Sequence, residues 1–171
     1  LKSVFNFLFN SQHIKSIDCL AHSGGGIILT MFLINNPDFK SKINSITMFG
    51  VQAFGAGEKL TNRVKILSSK YLALLIGKIP SKAAGSSEHS ESYHTMKQWF
   101  NWNLGKNFNG ESGFDYLSRM HEIRIPILSI CAKGDSFIAP KTGCEKFLSA
   151  FENSTNKLLF LSKGNGNLEN Y

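Results

Sequence analysis

No stretch of this chain approaches the roughly 18 consecutive apolar residues that cross a bilayer, which argues against a membrane-spanning helix. The opening LKSVFNFLFNSQ has neither an initiating Met nor the cleavage pattern of a signal peptide, and GNGNLENY at the other end reads as a loop cut midway. The sequence is therefore expected to be an internal piece of a longer protein. Cysteine is scarce. Cys19, Cys131 and Cys144 make an odd count with no paired metal-ligand spacing, so neither a disulfide framework nor a zinc site is expected. Thiols set in apolar runs act as small hydrophobes. Their pattern fits a reducing compartment, and a cytoplasmic location is expected. There is no Arg-rich run, stacked-aromatic motif or zinc pattern, so the net charge of +7 does not point to nucleic acid. Acidic residues are missing from one basic stretch, which holds Lys59, Arg63, Lys65, Lys70, Lys78 and Lys82. It is read first as a solvated helix face, with salt-sensitive contact to an anionic membrane surface as the lesser alternative. Internal repeats and low-complexity tracts are absent as well.

What is present is enough for one ordinary domain. The 171 residues are 42% hydrophobic, and fourteen Phe promise a generous interior or an apolar cleft. IKSIDCLAH, INSITMFGV, IPILSICAKG and KLLFLSKG are short apolar runs suited to buried strands. LKSVFNFLFNSQ, GGIILTMFLINN (ending before Pro37) and KTGCEKFLSAFENS are patterned as helices. Strands alternating with helices predict an α/β fold: a mostly parallel sheet with right-handed crossovers and helices on both faces. Residues 53–120 are too long for a plain connection and carry two helical patterns, NRVKILSSKYLALLIGKI and SESYHTMKQWFNWNL. That excursion is expected to be a helical cap over a core made of residues 1–52 and 121–171.

DCLAHSGGGIILTMF joins strand to helix through a serine among small residues. At such a turn a side chain projects from the carboxyl edge of the sheet. Ala21, Gly24 and Gly25 meet the need for small flanking groups around Ser23. The amide of Gly24 and the start of the following helix supply donors to a developing negative oxygen. The stretch Ala21-His22-Ser23-Gly24-Gly25 resembles the small-x-Ser-x-small nucleophile elbow of the α/β-hydrolase family. IPILSICAKGDSFIAP resembles that family's penultimate strand and acid loop, with Asp135 at the matching position. The order Ser, insert, Asp agrees with the family's chain order.

The resemblance implies a serine hydrolase acting on small carboxylic esters or other acyl substrates through an acyl-enzyme. Ser23 would be the nucleophile and Asp135 the acid that orients the base, with neither metal nor other cofactor. Phe54, Trp99 and Phe100, with Tyr71, Leu74, Leu75 and Trp102, are candidates for an acyl pocket. A member that keeps the fold but only binds a ligand or a protein is the alternative.

The base is the gap. His22 adjoins the serine and by strand alternation points away from it. His13 and His121 precede their strands and so lie at the opposite edge of the sheet. His89 and His94, in the cap, are weak candidates. The family's histidine follows the last strand, where KGNGNLENY has none, so the base is expected beyond Tyr171 and the second oxyanion donor before Leu1. The 171 residues alone are accordingly expected to be inactive. They are also expected to be poorly soluble, because the Ser23 strand would present an open apolar edge.

Overall fold

The four apolar runs form one parallel sheet, with the helices between them. The computed structural model describes residues 1–79 and 91–163. A short helix α1 (Lys2–Asn6) widens into a π turn over Phe7–Ser11 and leads to β1 (Ile17–His22). Helix α2 (Gly24–Asn35) starts one residue later and stops before Pro37, which opens a 3-10 turn to Lys42. Strand β2 (Ile43–Phe49) is followed by α3 (Leu60–Ile76). A two-residue antiparallel ladder joins β3 (Lys78–Ile79) to β4 (Glu91–Ser92), and α4 (Tyr93–Gly105) follows. The chain returns through a 3-10 turn at Leu117–Glu122 to β5 (Ile127–Ala132), α5 (Lys141–Ser149) and β6 (Lys157–Leu161).

The sheet order is β1-β2-β5-β6, with all neighbours parallel. Register sets Cys19 beside Ile46, Ile46 beside Ile127, and Ser129 beside Leu158. Each strand is added on the same side of the one before. Right-handed crossovers then place every connecting helix on one face. Burial follows that rule: Ala21, Ile46, Met48, Ile127 and Cys131 are buried, while the alternate residues Leu20, Leu128, Ile130 and Leu159 join no hydrophobic cluster. The expectation of helices on both faces is thus corrected. Among the described residues one face is covered and the other is open. β1 is an edge strand, and Leu20 on it is 75% exposed.

One hydrophobic cluster runs from Phe5 and Phe9 through Leu33, Ile46 and Met48 to Phe54, Phe108, Phe147 and Phe151. Phe54 lies 5.7 Å from Phe147 and 6.1 Å from Phe108, ring centre to ring centre. Trp99, Phe100, Trp102 and Met120 belong to the same cluster, so the excursion between β2 and β5 shares its core with the sheet.

Asn103 fastens that excursion. It is fully buried; its Oδ1 accepts from the Ala56 amide at 2.7 Å, and its Nδ2 donates to the carbonyls of Ala53 at 2.7 Å and Trp99 at 3.0 Å. Asn103→Leu keeps the volume but leaves the Ala53 carbonyl unpartnered and the Ala56 amide with only its longer, 3.3 Å bond to Gln52 Oε1. The expected cost is about 2–4 kcal/mol, read as a lower denaturant midpoint at unchanged m-value.

Candidate functional site

Ser23 alone makes the turn between β1 and α2. Its backbone sits at φ 48°, ψ −125°, a conformation that costs a non-glycine residue roughly 1–3 kcal/mol and must be held by its surroundings. Two hydrogen bonds hold it: the Ser23 amide donates to the Phe49 carbonyl at 2.9 Å, and the Ser23 carbonyl accepts from the Gly26 amide at 3.1 Å. The hydroxyl makes no capping bond to α2. Gly24 and Gly25, in the first turn, have amides without partners inside the helix, at its positive end.

The small residues matter differently from the expectation. A Cβ on Gly24 or Gly25 would meet nothing within 4 Å, whereas one on Gly26 would come within 2.5 Å of the Val51 side chain. Close packing of α2 on the loop after β2 falls on the third glycine. Ala21 is buried under the turn, and His22, one residue on, is exposed.

Ser23 and Gly24 open into a cavity of about 230 Å³, walled largely by Ile28, Met31, Met96, Trp99, Trp102 and Ile138. Trp99 and Trp102 are therefore in its wall. Phe54 and Phe100 are not; each is 1% exposed and packs in the core behind it. Tyr71, Leu74 and Leu75 face outward from α3 at 58%, 54% and 83% exposure. A second, polar cavity of about 490 Å³ shares Gln98 and Trp102 with the first and is lined by His94, Lys97, Asn101 and Glu111 among others.

Asp135 lies in the loop after β5, at the same carboxyl edge as Ser23 because all four strands run parallel. Two strand spacings separate their strands, about 10 Å. Between them stands the end of β2, where Gly50 has φ 56° and no side chain. The Oδ1 of Asp135 accepts the amides of Phe137 at 3.2 Å and Ile138 at 2.9 Å. Its other oxygen has no hydrogen-bond partner among the described residues. The carboxylate lines a separate cavity of about 300 Å³ with Lys59, Asn62, Lys133 and Lys141.

Gln52 ties the two regions together. It is 2% exposed and lines the Ser23 cavity; its Nε2 donates to the Ile138 carbonyl, and its Oε1 accepts the Gly55 amide at 2.9 Å. No motif marks it; the only local signal is a lone amide inside the small, apolar GVQAFGAG, the setting of a buried polar brace. Met31, Met96, Gln98 and Ile138 were missed for another reason: no local pattern says which side of a helix or loop will face a cavity.

Under the acid loop, Cys131 and Cys144 are buried in a small cluster with Ala139, and Cys144 Sγ donates to the Ala139 carbonyl at 3.5 Å. Its contact with Cys131, together with burial, pushes the Cys144 thiol up. Cys19 is also raised, by burial and the Asp18 carboxylate. No described histidine lines the Ser23 cavity: His13 and His121 precede their strands, His22 is exposed, and His94 belongs to the polar neighbour. His89 and residues 164–171 lie outside the described residues. Among those described, no group of three His, Cys, Asp or Glu could hold a metal ion, and no helix is long and apolar enough to cross a membrane.

No family model and no curated protein matches the sequence. Solved structures do match. The chain is similar to a soluble variant of monoglyceride lipase from Saccharomyces cerevisiae (15% identity, TM-score 0.56, covering 93% of this chain and 58% of that one). It is also similar to a lipase-esterase related protein from Clostridium acetobutylicum (19%, TM-score 0.52, 95% and 65%) and to an alpha/beta fold family hydrolase from Bacillus anthracis (11%, TM-score 0.52, 94% and 64%). The fold is that of the α/β hydrolases. The resemblance first seen in the elbow and acid-loop motifs thus extends over nearly the whole chain, which spans about three-fifths of the length of the structures it matches. The α/β-hydrolase fold accounts for a parallel sheet carrying Ser23 and Asp135 on one edge.

Proposed function

We propose that this chain belongs to a serine hydrolase that cleaves carboxylic esters through an acyl-enzyme. The observation that carries the reading is Ser23 itself: a serine held at φ 48° between a strand and a helix, with its hydroxyl uncapped and facing an apolar cavity. A turn that costs strain and leaves its hydroxyl idle has no evident packing purpose. The matched lipase, described in complex with a substrate analog, supports an ester as substrate class.

In this reading an imidazole takes the Ser23 proton as Oγ attacks the ester carbonyl. The C–O double bond opens, and the electron pair moves to an oxyanion met by the Gly24 amide and a second donor. Collapse expels the alcohol, which leaves with the proton from the imidazolium; water then repeats the sequence and frees the acid. The free oxygen of Asp135 would hold the imidazole N–H, its partner oxygen being fixed by the loop amides. Ala21, His22 and Gly25 shape the elbow without touching the reacting atoms. Residues 53–120 would serve as the cap, with Trp99 and Trp102 against the acyl group.

The test is covalent. Full-length protein treated with a fluorophosphonate probe should carry one adduct, and peptide mass spectrometry should find it on Ser23. Absence of labelling, or labelling on another residue, overturns the reading.

A further inference from the structure

The first helix of the excursion, α3, is apolar on two opposite faces. Its inner face is set by Asn62, Ile66 and Ala73, all buried. Diametrically opposite, at about 100° per residue, Leu60, Val64, Leu67, Tyr71, Leu74 and Leu75 share one outward wedge. All are exposed, from 43% at Leu67 to 83% at Leu75. Spacings of four and three residues keep them on one line for the full length of the helix. An apolar row of this kind, directed away from its own core, is an interaction surface.

Charge identifies what it meets. Arg63 borders one side of the row, with Lys70 behind it donating to Asn101 on α4 at 2.8 Å. Lys65 lies beyond the other, among the exposed Leu72 and Ile76, while Lys78 follows the helix and Lys59 precedes it beside the Asp135 cavity. No Asp or Glu occurs from Lys59 to Ile79. The nearest carboxylate before them, Glu58, is already bound to Lys106 and Lys146. We propose that α3 is an interfacial helix that seats its apolar row among the acyl chains of an anionic membrane while its flanking cations meet lipid headgroups. A second copy is the poorer occupant, because a two-fold contact through the same row would face these cations with their own equivalents. The expected basic, solvated face is therefore basic only at its borders. α3 packs on α4, which carries Trp99 and Trp102, so docking would occur one helix away from the Ser23 cavity. The proposal does not depend on Ser23 being a nucleophile.

Vesicle co-sedimentation of the full-length protein tests it. Binding is expected to phosphatidylcholine vesicles containing about 30% phosphatidylserine, falling at least about tenfold without the anionic lipid or on going from about 0.1 to about 0.5 M salt. Arg63→Gln with Lys65→Gln should weaken binding several-fold, and Val64→Glu with Leu75→Glu should abolish it. These side chains are exposed, so the variants should melt like the parent and keep fluorophosphonate labelling in solution. Ser23→Ala should leave vesicle binding unchanged, which separates this proposal from the hydrolase reading. No binding to anionic vesicles, binding indifferent to the Glu pair, or a dimer that the Glu pair dissociates would each overturn it.

Discussion

Replacing Ser23 by alanine in the full-length protein should lower kcat/KM for a soluble ester by about 10⁴-fold or more, because the nucleophile of such a mechanism has no substitute. The same position gives a sharper test when changed to glycine. Alanine keeps the Cβ and therefore the strain at φ 48°. Glycine removes it, since the left-handed half of conformational space is open to a residue without Cβ. Ser23→Gly should accordingly be as inactive as Ser23→Ala yet about 1 kcal/mol more stable than the parent. For a protein of this size or somewhat larger, that is a rise of about 2–4 °C in Tm. A serine kept for packing or turn formation would behave otherwise: neither alanine nor glycine would cost much activity, and glycine would gain stability with activity retained. Loss of activity together with gain of stability is the sign of a residue retained for chemistry against the interest of the fold.

The elbow was legible because its requirements are local. A strand must end, a helix must begin, and one residue must turn between them; IDCLAHSGGGIILTMF states all three within sixteen positions. The four strands were legible for the same reason, each being a short apolar run closed by turn residues. The open face of the sheet was not. Leu20, Leu128 and Ile130 are as apolar as the buried residues they alternate with, and only the strand order, a long-range property, shows that no connecting helix reaches them. The site divides in the same way. The candidates Ser23 and Asp135 stand in motifs, whereas no motif marks Gln52 and Ile138, which join the serine's cavity to the loop of Asp135. Their contacts span 86 residues, through the Gln52 side chain and the Ile138 carbonyl, and nothing in either neighbourhood encodes the other. The outward row on α3 lay between these cases. Its period was readable, but a helix apolar on two faces does not say which face is inside.

Gly55→Val is expected to be the most damaging substitution away from the chemistry. Gly55 follows the braced Gln52 loop and meets Gly143, in the first turn of α5, so closely that a Cβ on Gly55 would lie 2.5 Å from the Gly143 Cα and 3.0 Å from its carbonyl oxygen. Both partners are backbone, so no side-chain rotation relieves the overlap. α5 would have to withdraw. It cannot do so cheaply, because Phe147 on α5 packs against Phe54, Phe108 and Phe151 in the main cluster. Val adds two further methyl groups to a contact that cannot admit one. The cost should exceed about 3 kcal/mol, beyond the usual range for overpacking in side-chain cores, and lower Tm by about 6–12 °C. Gly25→Ala is the control: a Cβ there meets nothing within 4 Å, and alanine is the better helix former by up to about 1 kcal/mol, so its Tm should hold or rise. Thermal denaturation of the two variants beside the parent decides the matter. Equal melting temperatures for all three would show that α5 does not rest against the loop after β2, and that the Gln52 brace, which depends on the same approach, is not what aligns the acid loop with the serine cavity.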